Sequence, residues 1–411
     1  MRRGGRARRA VALTLALALL ASPALALDKP RDFVPPPPEQ VPNVREQTRA
    51  VLIELASYAK KRDPNFQVLM RGGVELLVKG DWEVQWEALH DPSSSGFYRR
   101  LPERSVFRPL VKLLDGLVID GLYCGANVLD KPLADAIKER KADDALIDSE
   151  KKIGIQRPPI PVEMGPFSND PAVELRRAAE IKEKLDKAER VRRIVYAADA
   201  IRAEGRALLS VDACPAPAGA EAALRGAARD HVTSYPMIGT ARLDQPPRLH
   251  PPGENAGEIL SLNMIHNWLP LLRSDGFGSK GRFVEAISNS NYDMVVIDVA
   301  HRGVDFLVKA DVAQMKFKKL GPRRQVLAVM PIGRAYDWRW YWQKGWEVGA
   351  PAFLFAHDDQ PGTYIADVGS AEWKTLLGKY IAGVMDLGFD GVMFDDVETY
   401  LWLEELMPID R

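Results

Sequence analysis

The sequence predicts an α/β fold, a (β/α)8 TIM barrel, and three observations carry that expectation. Eight short apolar runs, each of strand length, recur along the 411 residues. Amphipathic helical segments separate most of them, as crossovers between parallel strands require. Several runs also end in a carboxylate, and a barrel carries its chemistry at the C-terminal ends of its strands.

The strand candidates, in order, are FQVLMRGG (Phe66 to Gly73), GLVIDGLYC (Gly116 to Cys124), RALLSVDAC (Arg206 to Cys214) and HVTSYPMIG (His231 to Gly239). EILSLNMIHNW (Glu258 to Trp268), YDMVVIDVAH (Tyr292 to His301), RQVLAVMPIG (Arg324 to Gly333) and DGVMFDD (Asp390 to Asp396) complete the set. Most combine β-branched or aromatic residues with a glycine, proline or acid at or near the end, which stops a strand. Helical periodicity appears in REQTRAVLIELASYAKK from Arg45, ERVRRIVYAADAIRAEG from Glu189, AALRGAARD from Ala222, FVEAISN from Phe283 and AEWKTLLGKYIAGVMDLG from Ala371.

Two segments interrupt the rhythm. Residues 131–187 are charged and helical, with a PPIP break at Pro158 to Pro161, and predict a lid, a flanking subdomain or a solvated surface. Residues 243–257 (LDQPPRLHPPGENAG) predict a proline-rich linker.

At the start, arginines precede an apolar run from Ala10 to Ala21, and small residues stand at Ala24 and Ala26. This predicts a signal peptide over 1–26 and a secreted or periplasmic protein. The run is too short for the roughly 20 residues of a permanent bilayer span. Residues 27–44 then read as a proline-rich arm, and 45–411 as the barrel.

The full chain balances 56 basic against 56 acidic residues, and the leader removes five arginines and no acid. The remainder is mildly acidic, which disfavours a nucleic-acid or anionic-membrane partner. Two cysteines, Cys124 and Cys214, exclude a disulfide scaffold. They follow neighbouring strands, so either one bridge or two buried thiols fits. No HxH or HExxH spacing points to a metal, and no cofactor is expected. His301 and His266 lie near strand ends, as a ligand, an acid or plain structural residues.

The strand-end acids are Asp120, Asp212, Asp298, Asp395 and Asp396. Period-two alternation puts Val392 and Phe394 on the helix side and Met393 with Asp395 on the pore side, leaving Asp396 beside the site. Glycoside cleavage needs one carboxylate at the developing oxocarbenium ion and one protonated carboxyl at the leaving oxygen, and acids on two strands can flank a sugar. The segment AYDWRWYWQKGW (Ala335 to Trp346) supplies flat rings suited to a sugar face.

Four blocks, YDMVVID, VLAVMPIGRAYDWRWYW, QPGTYIADVGSAEWKTLLGKYI and GFDGVMFDDVETY, resemble in that order the endo-α-1,4-polygalactosaminidase family of glycoside hydrolases. They cover Tyr292 to Tyr400. SYAKKRDPNFQVLMRGGVELL and LDGLVIDGLYCG resemble the same family, but there these blocks follow the GFDGV strand, whereas here they precede it. The resemblance therefore implies a circularly permuted barrel, with the linker at 243–257 joining the family's usual ends.

It further implies that Asp395 is a catalytic carboxylate and that Asp120 stands near the family's second acid, usually Glu. Asp298, Asp212, Tyr123, Asp337, Trp338, Asp367 and Asp396 are the expected substrate-binding residues. Arg334 joins them, standing where the family commonly has an acid; Arg71 with Gly72 replaces an amide pair. The expectation is an exported, monomeric hydrolase of an amino-sugar polysaccharide. A non-catalytic polysaccharide-binding protein, favoured by Arg334, is the competing reading, and a metal-dependent deacetylase a weaker third.

Overall fold

The computed structural model describes residues 43–80, 83–84, 104–153, 171–239, 243–244 and 246–406. The expected leader, most of the proline-rich arm and the PPIP break lie outside these residues.

Strands run in chain order as β1 (Gln67–Arg71), β2 (Gly116–Asp120), β3 (Ala207–Cys214), β4 (Thr233–Ile238), β5 (Trp268–Leu271) and β6 (Met294–Ile297). A small hairpin, β7 (Ala300–His301) and β8 (Asp305–Phe306), precedes β9 (Gln325–Pro331). Three short strands, β10 (Arg334–Tyr336), β11 (Leu354–His357) and β12 (Thr363–Ala366), form an antiparallel sheet before β13 (Gly391–Asp395).

The eight long strands form one sheet in the order β4-β3-β2-β1-β13-β9-β6-β5, and every ladder in it is parallel. The first strand pairs with the last, from Gln67 opposite Gly391 to Met70 opposite Phe394. This is a nearly closed (β/α)8 barrel. The seam between β4 and β5 carries no backbone ladder; side chains bridge it instead. Trp268 Nε1 donates to Thr233 O at 3.1 Å, the Thr233 hydroxyl donates to Ile265 O at 3.4 Å, and the rings of Tyr235 and Trp268 meet edge-on at 6.3 Å.

Alternation sorts the two faces. Leu69, Val118, Leu209, Met294, Val296, Leu327, Val329 and Met393 fill the barrel, while Val68, Met70, Leu117, Ile119, Val295, Val392 and Phe394 pack against the helices. Asp395 has the parity of Met393 and so points into the mouth.

The helices are α1 (Val44–Arg62), α2 (Val74–Leu77), α3 (Arg108–Val111), α4 (Leu133–Lys152), α5 (Pro171–Ala203), α6 (Pro217–Arg229), α7 (Lys280–Ser288), α8 (Lys309–Met315), α9 (Ala371–Leu387) and α10 (Thr399–Leu406). α1 starts where the Asn43 side chain accepts the Glu46 amide and ends in Lys60, Lys61 and Arg62, cations that suit the negative end of the helix dipole. α5 is one helix of 33 residues whose first half belongs to the expected insertion and whose last turns, from Ile194, are buried against the barrel. α4 docks on it through Arg140 and Lys141, which both pair with Asp199 at 2.6 and 2.8 Å.

The fifth strand differs from the expectation of Glu258 to Trp268. Only Trp268–Leu271 is extended, and the preceding residues make a 3-10 turn at Leu262–Met264. The apolar residues there recur every third position, which suits a turn. Ile259, Leu262 and Ile265 pack under the barrel beside the N-terminal ends of β1 and β9, where Gln325 Nε2 donates to Ile259 O.

Cys124 and Cys214 form a disulfide across 90 residues, tying the loop after β2 to the end of β3. No described helix is long and apolar enough to cross a membrane.

Candidate functional site

The mouth of the barrel at β1, β2 and β13 opens into a cleft of about 340 Å³. Five carboxyl groups line it, those of Glu75, Asp120, Asp395, Asp396 and Glu398, together with Arg71, Arg334 and Arg190.

The strand ends position these groups. β1 stops at Arg71 because Gly72 and Gly73 follow with φ of 70° and 65°, a conformation that disfavours side chains. A Cβ on Gly72 would also stand 2.7 Å from Glu398 Oε1, so a side chain there would push the Glu398 carboxyl aside. β13 ends at Asp395, and Asp396 takes a φ of 54°, turning the chain toward α10 and bringing Glu398 over Gly73.

Arg71 lies between the two expected catalytic acids. Its guanidinium grips both oxygens of Asp120 at 3.0 and 2.6 Å and reaches Asp395 at 3.3 and 3.4 Å. Two such contacts to one guanidinium put the carboxylates closer together than the roughly 9.5 Å upper limit for a glycosidase pair. Burial opposes the Arg71 charge, but Asp395 and Asp120 outweigh it and hold its pKa above the ordinary arginine value.

Beside this pair, Asp396 accepts from Arg334 at 3.1 Å and from the Tyr336 hydroxyl at 2.6 Å. Burial raises the Asp396 pKa, with the charge of Asp395 adding to it. Arg334 also pairs with Asp358 at 2.6 Å. Burial works against its charge, and Asp396 with Asp358 more than restores it. Arg334 therefore lines the cleft with both neighbouring acids engaged.

Glu398 was not singled out by sequence. Its Oε1 accepts the Gly73 amide at 2.8 Å. Glu398 is exposed at the cleft mouth, yet the protein packed around its carboxyl raises its pKa to about 7, and Glu75 adds to the shift. Glu75 is itself committed, accepting from Tyr400 at 2.8 Å and pairing with Arg193 at 3.4 Å. The available signal was the ETY that follows FDDV: an acid three residues past a strand-end Asp, in a loop at the catalytic end of the barrel.

The remaining expected residues lie elsewhere. Asp298 is buried and paired with Arg339 at 3.1 Å, with Tyr380 at 3.5 Å; burial raises its pKa. Asp212 is wholly buried and accepts four hydrogen bonds, from the amides of Tyr123 and Cys124 and from Ser210 and Ser234. It anchors the loop after β2. The Tyr123 hydroxyl donates to Asp230 at 3.3 Å.

Asp337 is exposed on the rim beside Gly362, and Asp367 accepts the Gly369 amide in the turn before α9. Trp338 is stacked between the guanidinium groups of Arg273 and Arg339, at 4.6 and 4.8 Å. The other tryptophans of its segment pack mostly on each other and on the rim: Trp342 meets Tyr364 at 4.7 Å, and Trp346 meets Phe353 at 5.3 Å. His301 is buried beside Phe283, and His266 is exposed near Asp293. Among the described residues, no group of three or more His, Cys, Asp or Glu side chains is arranged to hold a metal ion.

No family model matches the chain. It is similar to an uncharacterized protein of Deinococcus radiodurans, 28% identical over 47% of this chain and 55% of that one. It is likewise similar to uncharacterized proteins of Methanocaldococcus jannaschii, 31% identical over 29% of this chain and 35% of that one, and of Thermotoga maritima, 30% identical over 29% and 37%. The chain thus spans about a third to a half of the length of these curated relatives. Among solved structures, the glycoside hydrolase domain of PelA from Pseudomonas aeruginosa and a variant of it align at 21% and 20% identity. Each alignment covers 28% of this chain and 41% of the other, with a TM-score of 0.21, and an overlap of that kind carries no argument about this chain.

Proposed function

We propose that this chain is an exported glycoside hydrolase acting on an amino-sugar-containing polysaccharide of the polygalactosaminidase kind. The observation that carries the reading is the convergence of Asp395 and Asp120, from two strands, on one cleft at the C-terminal end of the barrel. Asp395 attacks the anomeric carbon or steadies its positive charge, and a second carboxyl supplies the proton. The sequence resemblance points to Asp120 for that proton, and the cleft also holds Glu398.

Five carboxyl groups against three arginines suit a cationic glycan such as a de-N-acetylated amino-sugar polymer. Asp298, Asp212 and Tyr123 act from behind the wall, where they hold the loops that shape the cleft. Trp338, Asp337 and Asp367 belong to its outer rim. Export rests on the arginine-rich apolar start, with the disulfide in keeping with an oxidising compartment.

Circular permutation belongs to the same proposal. The one seam without a backbone ladder falls between β4 and β5, the strands that the linker at 243–257 joins, and β1 pairs with β13 where the chain's two halves meet.

The competing reading is a polysaccharide-binding protein that keeps the cleft without cleaving. The grip of Arg71 on both expected acids favours it. Incubating the protein with galactosamine-rich, glucosamine-rich and neutral polymers, and measuring both bound polymer and released oligosaccharides, separates the two. Hydrolysis predicts new oligosaccharides from a galactosamine-rich polymer. Retention of intact polymer without products identifies a binder.

A further inference from the structure

A proton donor must be a neutral carboxyl with an oxygen free to face the leaving group. In the cleft four of the five carboxyl groups have both oxygens engaged. Asp120 is gripped by Arg71 through both, Asp395 holds Arg71 and the Asp396 amide, Asp396 holds Arg334 and Tyr336, and Glu75 holds Arg193 and Tyr400. Glu398 is different: Oε1 accepts the Gly73 amide, and Oε2 has no hydrogen-bond partner among the described residues. It opens into the same cleft as Asp395.

We infer that Glu398 is the general acid of this site and that Asp120 is the positioning residue that holds Arg71 against Asp395. The inference rests on the hydrolase reading proposed above.

As the C1–O bond breaks, its electron pair goes to the leaving oxygen, which takes the Glu398 proton. Positive charge left on the anomeric carbon is met by the Asp395 carboxylate or directly by water. Water completes the new hydroxyl at that carbon; its spare proton returns to Glu398 where Asp395 was the nucleophile, or goes to Asp395 where water attacks directly from the opposite face, so one water is consumed for each bond broken. The surroundings suit a carboxyl that must enter the reaction neutral. Glu75 from α2, Asp120 from β2 and Tyr400 from α10 face it, Arg71 from β1 is spent on other acids, and the pKa near 7 keeps the proton available at neutral pH.

The test uses the full chain on two substrates, an α-linked galactosamine polymer and a dinitrophenyl galactosaminide, whose leaving group departs without protonation. Glu398→Gln is expected to lose about 10²-fold or more in kcat on the polymer and its alkaline limb near pH 7, yet to lose less than tenfold on the aryl glycoside. Asp120→Asn is expected to slow both substrates alike and to keep that limb.

If Glu398→Gln retains polymer turnover with the limb in place while Asp120→Asn loses both, Asp120 is the acid and this inference fails alone. If the wild-type protein cleaves neither substrate, the hydrolase reading itself fails and takes this one with it. Should Glu398→Gln not fold, Glu398→Asp serves, expected to keep the alkaline limb at a reduced kcat; a limb lost with the carboxyl still present would overturn the assignment.

Discussion

At the residue scale, the site is a small charge lattice in which each acid except Glu398 has both oxygens matched to donors. Asp395 is held by Arg71 and by the Asp396 amide. Asparagine preserves its shape but removes the negative charge, so Asp395→Asn is expected to fold with an unchanged far-UV spectrum and to lose about 10³-fold or more in turnover. Turnover within tenfold of wild type would remove Asp395 from the chemistry.

Glu398 gives a second residue-scale prediction. Its pKa is raised in the folded chain to about 7, above the ordinary glutamate value. The folded state therefore binds more protons between the two values, and stability falls as pH rises from about 4.5 to about 7, then levels off. Glu398→Gln is expected to flatten that part of the curve of urea midpoint against pH. An identical slope in wild type and variant would show that Glu398 is not the titrating group.

Part of this lattice was legible in the sequence. Alternation along GVMFDD selects Asp395 over Asp396 because strand parity is a local property, and the described faces follow it at Val392, Met393 and Phe394. Arg71 was visible as an oddity but not as a bridge, because its partners lie 49 and 324 residues away. Burial, likewise a tertiary property, separates Asp298 and Asp212 from the cleft although Asp298 directly follows β6 and Asp212 lies two residues before the end of β3.

At the element scale, the disulfide and the Asp212 anchor hold the loop after β2, and with it the wall that carries Asp120. In the chain-entropy account a bridge closing a loop of 90 residues stabilises by about 4 to 5 kcal/mol. Replacing Cys124 and Cys214 together by serine is expected to lower stability by roughly 2 to 5 kcal/mol in a urea titration. A midpoint matching that of the wild type would mean the packing alone sets the loop.

Arg339 ties the end of β6 to α9 through Asp298 and Tyr380. Arg339→Met would leave a buried carboxyl without its counter-charge, and a loss of about 3 to 5 kcal/mol is expected. Calorimetry that finds less than about 1 kcal/mol would argue that Asp298 is already neutral in the fold. The fifth strand was misplaced for a related reason. Ile259, Leu262 and Ile265 look like strand residues by composition, yet they serve as a floor under the barrel, and composition alone does not distinguish the two.

At the scale of the whole molecule, eight parallel strands enclose one interior, and the single break in the ladder is bridged by Trp268. The fold class was legible because eight apolar runs and their helical spacers repeat a local pattern. The small β10-β12-β11 sheet was not, because its short strands are partly exposed and lack the continuous apolar run that marks a barrel strand. The aromatic segment that begins within β10 reads as a sugar platform in sequence, and most of its rings pack on the sheet and its neighbours. α5, half insertion and half barrel helix, brings Arg190 to the cleft, so the charged insertion is joined by one helix to the wall of the site.

The central claim is that this cleft breaks glycosidic bonds with Asp395. The most direct test is a time course by mass spectrometry on an α-1,4-linked galactosamine polymer, wild type beside Asp395→Asn at equal concentration. The account predicts a growing series of oligosaccharides, each carrying one added water, from the wild type and none from the variant. Polymer that stays intact with both proteins, or identical products from both, would contradict it.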